Sequence, residues 1–174
     1  MTPPGNQEAE WVQAAVLVPI FERRGVLHVV YIVRSADSPV HRSQMAFPGG
    51  RHRDSEDGTF LETALREAEE EIGLRRDVVD VVGELPLVRT MTSNFVIAPF
   101  VGRIPEDTEF RLDPREVSEV FIASVDELRA EETRRDTLRT LHDGTEAVVP
   151  TFTVHGRIIW GATERITELL LGTL

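Results

Sequence analysis

Two hydrophobic patterns alternate along this chain and predict its elements. Long apolar runs rich in β-branched residues predict strands, whereas apolar residues that recur every three or four positions predict helices. Residues 12–20 and 27–33 are two such runs, and the polar turn 23–25 separates them. They predict a β-hairpin with both arms largely buried.

Shorter runs predict the remaining strands, and charged segments predict exposed connections. The strand patterns lie at residues 78–85, 95–101, 116–122, 147–154 and 157–160, the last two forming a hairpin. Residues 103–114 carry charges and prolines, which favours a surface loop. Residues 130–144 are dense in Glu, Arg and Thr, so we expect them to be exposed.

Three segments have helical character. Apolar residues at helical spacing predict a helix that ends near Ile72, where Gly73 can adopt a left-handed cap; they are Phe60, Ala64, Leu65, Ala68 and Ile72. Residues 161–171 predict a closing helix, with Ala162, Ile166, Leu169 and Leu170 on one side. Ser124 and Glu127 form a capping-box start for a small helix.

The order of these elements indicates the fold class. Strands in hairpins with two main helices predict an α+β fold in which helices cover a sheet. The length of 174 residues suits one domain with a real core. We expect that domain to span residues 11–174 and to follow a flexible tail, residues 1–10, which contains Pro3 and Pro4.

Carboxylates crowd the end of the first long helix. Glu67, Glu70 and Glu71 lie three and four positions apart, so helical geometry predicts that they share one stripe. Such like charges repel, and a divalent cation such as Mg²⁺ would neutralise them; the alternative is a solvated acidic face. Upstream, Gly49 and Gly50 would let the backbone approach a ligand closely and leave a carbonyl free for a cation.

Composition narrows the class of protein. A net charge of −11 argues against nucleic acid as the main partner, since phosphate backbones are bound by basic surfaces. There is no cysteine, which suits a reducing compartment. No leader segment and no apolar run long enough for a membrane span stand out, so we expect a cytoplasmic protein.

The acidic stretch resembles the Nudix box, G-x5-E-x7-R-E-U-x-E-E-x-G-U, where U is a bulky apolar residue. The second half matches position for position, in Arg66, Glu67, Ala68, Glu70, Glu71, Gly73 and Leu74. The first half departs, because the chain from Gly50 to Arg66 is two residues longer and Gly58 stands where the early Glu belongs. A longer loop with an Asp resembles the coenzyme A pyrophosphatase branch; here it is Asp57, which would cap the helix or brace Arg66.

A second resemblance to the same branch lies just before the box. Arg34, Ser35, His41 and Gln44 match its upstream motif, residues 46–50 continue the match, and residues 160–163 resemble the Trp-Gly-x-Thr opening of its last helix. Two positions depart: Pro39 stands where the family has an Arg, and Ser43 where it has a Gly. Arg42 would have to replace the lost cation.

These resemblances imply a fold, a reaction and a set of site residues. The implied fold is the Nudix α/β/α sandwich with a mixed sheet. The implied reaction is Mg²⁺- or Mn²⁺-dependent hydrolysis of a nucleotide diphosphate, most specifically coenzyme A, to 3′,5′-ADP and 4′-phosphopantetheine. Two alternatives remain. The chain could hydrolyse another Nudix substrate, such as ADP-ribose, NADH, a dinucleoside polyphosphate or a nucleoside triphosphate, or it could be a non-catalytic nucleotide sensor. The protein would be a monomer or a homodimer.

The resemblance also assigns residues to this reaction. Glu67 and Glu71 would hold the metal with help from Glu70 and the Gly50 carbonyl, and Arg66 would orient the glutamates through Glu70. The substrate would be bound by Arg34, His41, Arg42, Gln44 and Gly49. A carboxylate from a late loop, Glu116 or Glu119, would be an extra ligand or the general base.

Overall fold

The part of the chain that the structure describes contains eleven strands and three α-helices. The structure is a computed structural model and describes residues 11–36, 43–90, 93–141 and 143–174. The strands are β1 (Val12–Arg23), β2 (Val26–Arg34), β3 (Met45–Ala46), β4 (Gly49–Arg51), β5 (Asp80–Glu84), β6 (Val88–Arg89), β7 (Phe95–Arg103), β8 (Val117–Ser124), β9 (Arg134–Thr140), β10 (Glu146–Val154) and β11 (Arg157–Trp160). The helices are α1 (Phe60–Ile72), α2 (Val125–Arg129) and α3 (Gly161–Thr173).

Strand β1 is the centre of the larger sheet. It pairs antiparallel with β2 and β4 and parallel with β7, in a sheet of eight strands within the described ranges. The main order is β3-β2-β1-β7-β5, with β8 on β2 and β6 on β7. The predicted first hairpin and the predicted mixed sheet are therefore both confirmed. Strands β11, β10 and β9 form a second, antiparallel sheet.

Helices cover both faces of the larger sheet because β1 and β2 alternate their apolar side chains between the two faces. On one face, Leu17 and Ile32 pack against Ala64, Ala68 and Ile72 of α1. On the other face, Val18, Tyr31 and Phe47 pack against the smaller sheet and α3, through Phe152, Ile159, Ile166 and Leu170. The layered α+β sandwich is therefore the observed architecture.

The structure differs from the sequence-based expectations mainly at exposed strands. Residues 134–140 are exposed for the most part, as expected, but they form β9, which the sequence did not predict. Leu138 pairs with Val148 across the small sheet, yet both side chains are more than half exposed. A strand that faces solvent on both sides carries no apolar alternation, so only its pairing with β10 reveals it.

None of the helices in the described ranges is long and apolar enough to cross a membrane. The predictions for the tail, residues 1–10, and for Pro39, His41 and Arg42 fall on parts of the chain outside the described ranges.

Candidate active site

Helix α1 is fixed at both ends by local interactions. The Thr59 side chain accepts a hydrogen bond from the Glu62 N–H and caps the first turn. At the other end Gly73 is left-handed, with φ 67°, as predicted, and its N–H donates to the Ala68 and Glu69 carbonyls. The loop before β8 also binds this end of the helix, since the Asp113 N–H donates to the Glu71 carbonyl at 3.0 Å.

Two of the three box glutamates point inward and one does not. Glu67 and Glu71 are only 7% and 1% exposed, whereas half of the Glu70 side chain is exposed. The three carboxylates span an arc of about 100° around the helix, and Glu70 lies at the solvent-exposed edge of the predicted stripe. Relative to Ala64 and Ala68, which touch the sheet, Glu70 lies about 60° further round the helix than Glu67. The inner site thus contains two carboxylates.

The Gly-Gly turn lies directly against these carboxylates. The Gly49 N–H donates to Glu71 Oε2 at 3.0 Å, and a Cβ on Gly50 would lie 2.5 Å from the Glu67 carboxyl carbon. A Cβ on Gly49 would lie 2.4 Å from the Ala15 carbonyl oxygen of β1. Gly49 is required because a side chain there would collide with the backbone of β1, whereas a side chain on Gly50 would displace the Glu67 carboxylate.

Arg66 binds Asp57 and Glu67 more closely than Glu70. Its Nε and Nη2 donate to the two Asp57 oxygens at 2.8 and 2.9 Å, and its Nη1 donates to Glu67 Oε1 at 2.6 Å. The contact with Glu70 is longer, at 3.4 Å. Arg66 therefore acts on Glu67 directly, and the expectation that it works through Glu70 is corrected. Asp57 braces Arg66, while Thr59 and not Asp57 caps the helix.

Burial has the largest effect on the pKa of Glu71. Loss of water raises the pKa of Glu71 to about 8, although the Arg34 guanidinium, 4.0 Å away, and the Gly49 N–H favour the ionised form. The negative charges of Glu67 and Glu116 raise this pKa further. Burial also raises the pKa of Glu67, against the opposing effect of Arg66. A cation at this position would relieve the cost of two buried negative charges.

The raised pKa of Glu71 predicts how the stability of the metal-free protein depends on pH. The unfolded chain ionises this carboxyl near 4.5 and the folded chain near 8, so the folded state loses relative stability as pH rises between these values. We expect the free energy of unfolding to fall by roughly 2 to 4 kcal/mol across this window from Glu71 alone. Urea unfolding in a chelating buffer measures it, and Glu71→Gln should remove that part of the slope. An identical slope in the variant would contradict the prediction.

The two late carboxylates occupy different surroundings. Glu119 lies on β8 and forms an ion pair with Arg157 of β11. Glu116 lies just before β8; its carbonyl accepts the Ser35 N–H at 2.8 Å, and its charge acts on Glu71. Glu116 is thus the late carboxylate whose charge raises the pKa of Glu71, whereas the charge of Glu119 is paired with Arg157.

The predicted substrate-binding residues that the structure describes lie beside this site. The Arg34 N–H donates to the Gln44 carbonyl at 3.0 Å, so the two ends of the intervening loop meet. Ser43, which stands where the resembling family has a Gly, adopts a left-handed conformation with φ 55°. The backbone shape that a glycine would favour is kept although the residue is not a glycine.

The oxygen atoms that α1 and β4 bring together are of the kind that binds a hard cation. Across the described ranges no three acidic or histidine side chains already form a closed metal cluster. What α1 and β4 bring together is an all-oxygen set, two buried carboxylates beside the backbone of Gly49 and Gly50. Carboxylate and carbonyl oxygens with room for water are the ligands that Mg²⁺ and Mn²⁺ prefer.

Two residues beside the site were missed in the sequence. His52 Nδ1 lies 2.7 Å from the Thr63 hydroxyl, which in turn lies 2.9 Å from Asp57 Oδ2. Thr63 is fully buried. Its position four residues before Glu67, on the same side of α1 as the carboxylates, is the signal that could have identified it.

Comparisons with known proteins agree with this geometry. The family model described as the NUDIX domain matches residues 11–142. An uncharacterized Nudix hydrolase, NudL of Klebsiella pneumoniae, is 44% identical over 109 residues, which are 63% of this chain and 55% of that protein. The chain thus spans little more than half the length of such relatives.

Solved structures of low identity share the fold. A MutT/nudix family protein from Enterococcus faecalis aligns with a TM-score of 0.59 and 16% identity, over 94% of this chain and 62% of that one. The NUDIX domain of Shewanella oneidensis NrtR, complexed with ADP ribose, aligns with a TM-score of 0.55 and 15% identity, over 72% and 85%. At these identities the likeness concerns the fold alone.

Proposed function

The chain belongs to the Nudix family, and from that premise we propose that it hydrolyses the diphosphate bond of a nucleotide derivative with the help of a divalent cation. The observation that carries this proposal is the buried carboxylate of Glu71, held against the Gly49 N–H beside Glu67. A carboxylate with so little water around it needs a positive partner, and family members generally use divalent metal ions.

Each part of the site has a distinct task in this reaction. Glu67 and Glu71 would hold Mg²⁺ or Mn²⁺ with the Gly50 carbonyl, and exposed Glu70 would assist from the rim. The bound cation would lower the pKa of a water molecule and neutralise charge on the diphosphate. Arg66 and Asp57 hold Glu67 in place, and Arg34 places a positive charge 4.0 Å from Glu71, where an anionic substrate would arrive.

Coenzyme A is the substrate that we propose first. Support comes from the motif around Arg34, His41 and Gln44, from Gly49 and from the left-handed Ser43, which keeps the turn of a glycine. Pro39, in place of the family's Arg, favours a second candidate, another nucleoside diphosphate such as ADP-ribose, and Arg42 is the residue that would offset the loss.

A screen of substrates separates these candidates. The chain is incubated with Mg²⁺ or Mn²⁺ and coenzyme A, ADP-ribose, NADH or a dinucleoside polyphosphate, and products are resolved by chromatography. Release of 3′,5′-ADP with 4′-phosphopantetheine would identify coenzyme A. Turnover of another compound would identify the second candidate, and metal binding without turnover of any would point to a nucleotide sensor.

Glu116 is the carboxylate that we expect to act as general base. Glu116→Gln should lower kcat by roughly a hundredfold, because it removes the group that accepts a proton from water. Glu119→Gln is the matched control, since that carboxylate is bound by Arg157 and should matter little. Steady-state kinetics across pH measure both. A larger loss in the Glu119 variant would refute the assignment.

A further inference from the structure

A chain of hydrogen bonds runs beneath the first half of α1 and ends at Glu67. His52 Nδ1 contacts the Thr63 hydroxyl at 2.7 Å, and that hydroxyl contacts Asp57 Oδ2 at 2.9 Å. Asp57 accepts both Nε and Nη2 of Arg66, whose Nη1 reaches Glu67. Thr63 and Asp57 are buried, and the His52 side chain is only 11% exposed.

The direction of each hydrogen bond follows from the number of available protons. Asp57 accepts from Arg66, from Thr63 and from the Arg53 N–H, and these contacts hold the pKa of its carboxyl well below the usual range. Asp57 is therefore an acceptor only, and the Thr63 hydroxyl must give it the one proton that it has. The 2.7 Å contact with His52 then places a hydrogen on Nδ1 of the imidazole, while Nε2 lies 3.2 Å from the exposed Asp54 carboxylate, which can only accept.

We propose that Thr63 and His52 are positioning residues for the metal-binding carboxylate Glu67, and that they act through Asp57 and Arg66. This inference rests on the proposed function. Arg66 spends all of its guanidinium nitrogens on Asp57, Glu67, Glu70 and the Arg51 carbonyl, so the orientation of Asp57 fixes where the guanidinium lies relative to Glu67. Thr63 and His52 fix the orientation of Asp57.

Arg66 and a bound cation would compete for the Glu67 carboxylate. Arg66 Nη1 lies 2.6 Å from Glu67 Oε1, where it occupies an oxygen that a cation would need. With Asp57 held firmly, the guanidinium is divided between two carboxylates and can yield Glu67 to a metal. Without the Thr63 hydroxyl, Asp57 turns and Arg66 moves fully onto Glu67, which weakens metal binding. Loss of such outer contacts commonly costs ten- to a hundredfold in metal affinity.

The first test determines the tautomer of His52 and does not depend on catalysis. Long-range ¹H–¹⁵N spectra of the full chain, labelled at histidine, report which ring nitrogen carries hydrogen. His52→Asn assigns the signal among the five histidines. We expect hydrogen on Nδ1 in the unmodified chain and a mixture in Thr63→Val. Absence of hydrogen from Nδ1 in the unmodified chain would overturn the inference.

Metal affinity is the second test, with a conservative rescue. Thr63→Val keeps the shape of the side chain and removes the hydroxyl, whereas Thr63→Ser keeps the hydroxyl; His52→Leu and His52→Asn form a second pair, since Asn retains an N–H donor. We expect the Kd for Mn²⁺, measured by calorimetry, to rise about tenfold in Thr63→Val and His52→Leu and to recover in Thr63→Ser and His52→Asn. Thermal unfolding confirms that each variant is folded.

Kinetics and binding together separate this inference from the proposed function. In an active enzyme the Mn²⁺ concentration needed for half-maximal rate should rise in Thr63→Val, while kcat at saturating Mn²⁺ changes less than threefold. Tautomer and affinity changes in a chain that hydrolyses none of the diphosphates would uphold the positioning residues and reject the enzyme. Unchanged Mn²⁺ affinity in both hydroxyl-free and imidazole-free variants would reject the positioning residues.

Discussion

Glu71→Gln should lose roughly a thousandfold or more in kcat, which corresponds to about 4 kcal/mol in the barrier. The amide has the shape of the carboxylate but no negative charge, so it cannot hold the cation against the diphosphate. The fold should not suffer, because the amide oxygen still accepts the Gly49 N–H and a carboxyl whose ionisation is opposed by burial is removed. We expect the melting temperature without metal to equal or exceed that of the unmodified chain.

The control for this variant is Glu69→Gln on the same helix. Glu69 is exposed and lies 3.6 Å from Arg76, away from the inner carboxylates. Its replacement should change kcat less than threefold, so it tests whether the loss comes from the position and not from a change in net charge. Steady-state rates with Mg²⁺ and calorimetric melting measure both variants. Activity of Glu71→Gln within tenfold of the unmodified enzyme would refute the metal-ligand assignment.

Arg66→Met should destabilise the fold by about 3 to 5 kcal/mol near neutral pH. The Arg66 side chain is 14% exposed, and it neutralises Asp57 and Glu67, whose side chains are 2% and 9% exposed. Removing the guanidinium leaves two buried carboxylates without a cation. Methionine preserves the unbranched apolar part of the side chain, so most of the loss should be electrostatic. Urea unfolding gives the change in free energy.

A double variant shows where that free energy comes from. Arg66→Met combined with Asp57→Asn should recover part of the stability, because the second change neutralises one of the two unpaired carboxylates. Arg53→Met is the exposed control; its guanidinium pairs with Glu56 at the surface, where solvent screens the charges, so its loss should change stability little. Equal destabilisation in the Arg53 and Arg66 variants would mean that the buried ion pairs of Arg66 contribute no more to stability than a surface ion pair.

The parts of the site that the sequence predicted correctly are those specified locally. The apolar positions of α1, the cap at Gly73 and the brace of Asp57 on Arg66 all lie within one short stretch of chain. Helical geometry alone places Glu67 and Glu71 on neighbouring turns. It does not say how far the sheet extends around the helix, and this is why the burial of Glu67 and Glu71 and the exposure of Glu70 could not be told apart in the sequence.

The remaining features depend on residues far apart in sequence. Glu116 and Glu119 look alike in the chain, and they are distinguished by Arg157, which reaches Glu119 from a different sheet. The hydrogen bond between His52 and Thr63 forms only because the box loop folds back onto α1. Strand β9 takes its regular structure from β10 and not from its own composition. Such features require the tertiary structure.

The parallel pairing of β1 with β7 has a consequence for how the protein is made. On the ribosome, β1 and β2 emerge first and form a two-stranded hairpin, which is marginally stable by itself. The central partner, β7, begins at Phe95, which pairs with Val12, so the sheet cannot close until the nascent chain has passed Arg103. The acidic helix is synthesised before the surface that it rests on is complete, because Ala98 and Phe100 of β7 belong to that surface.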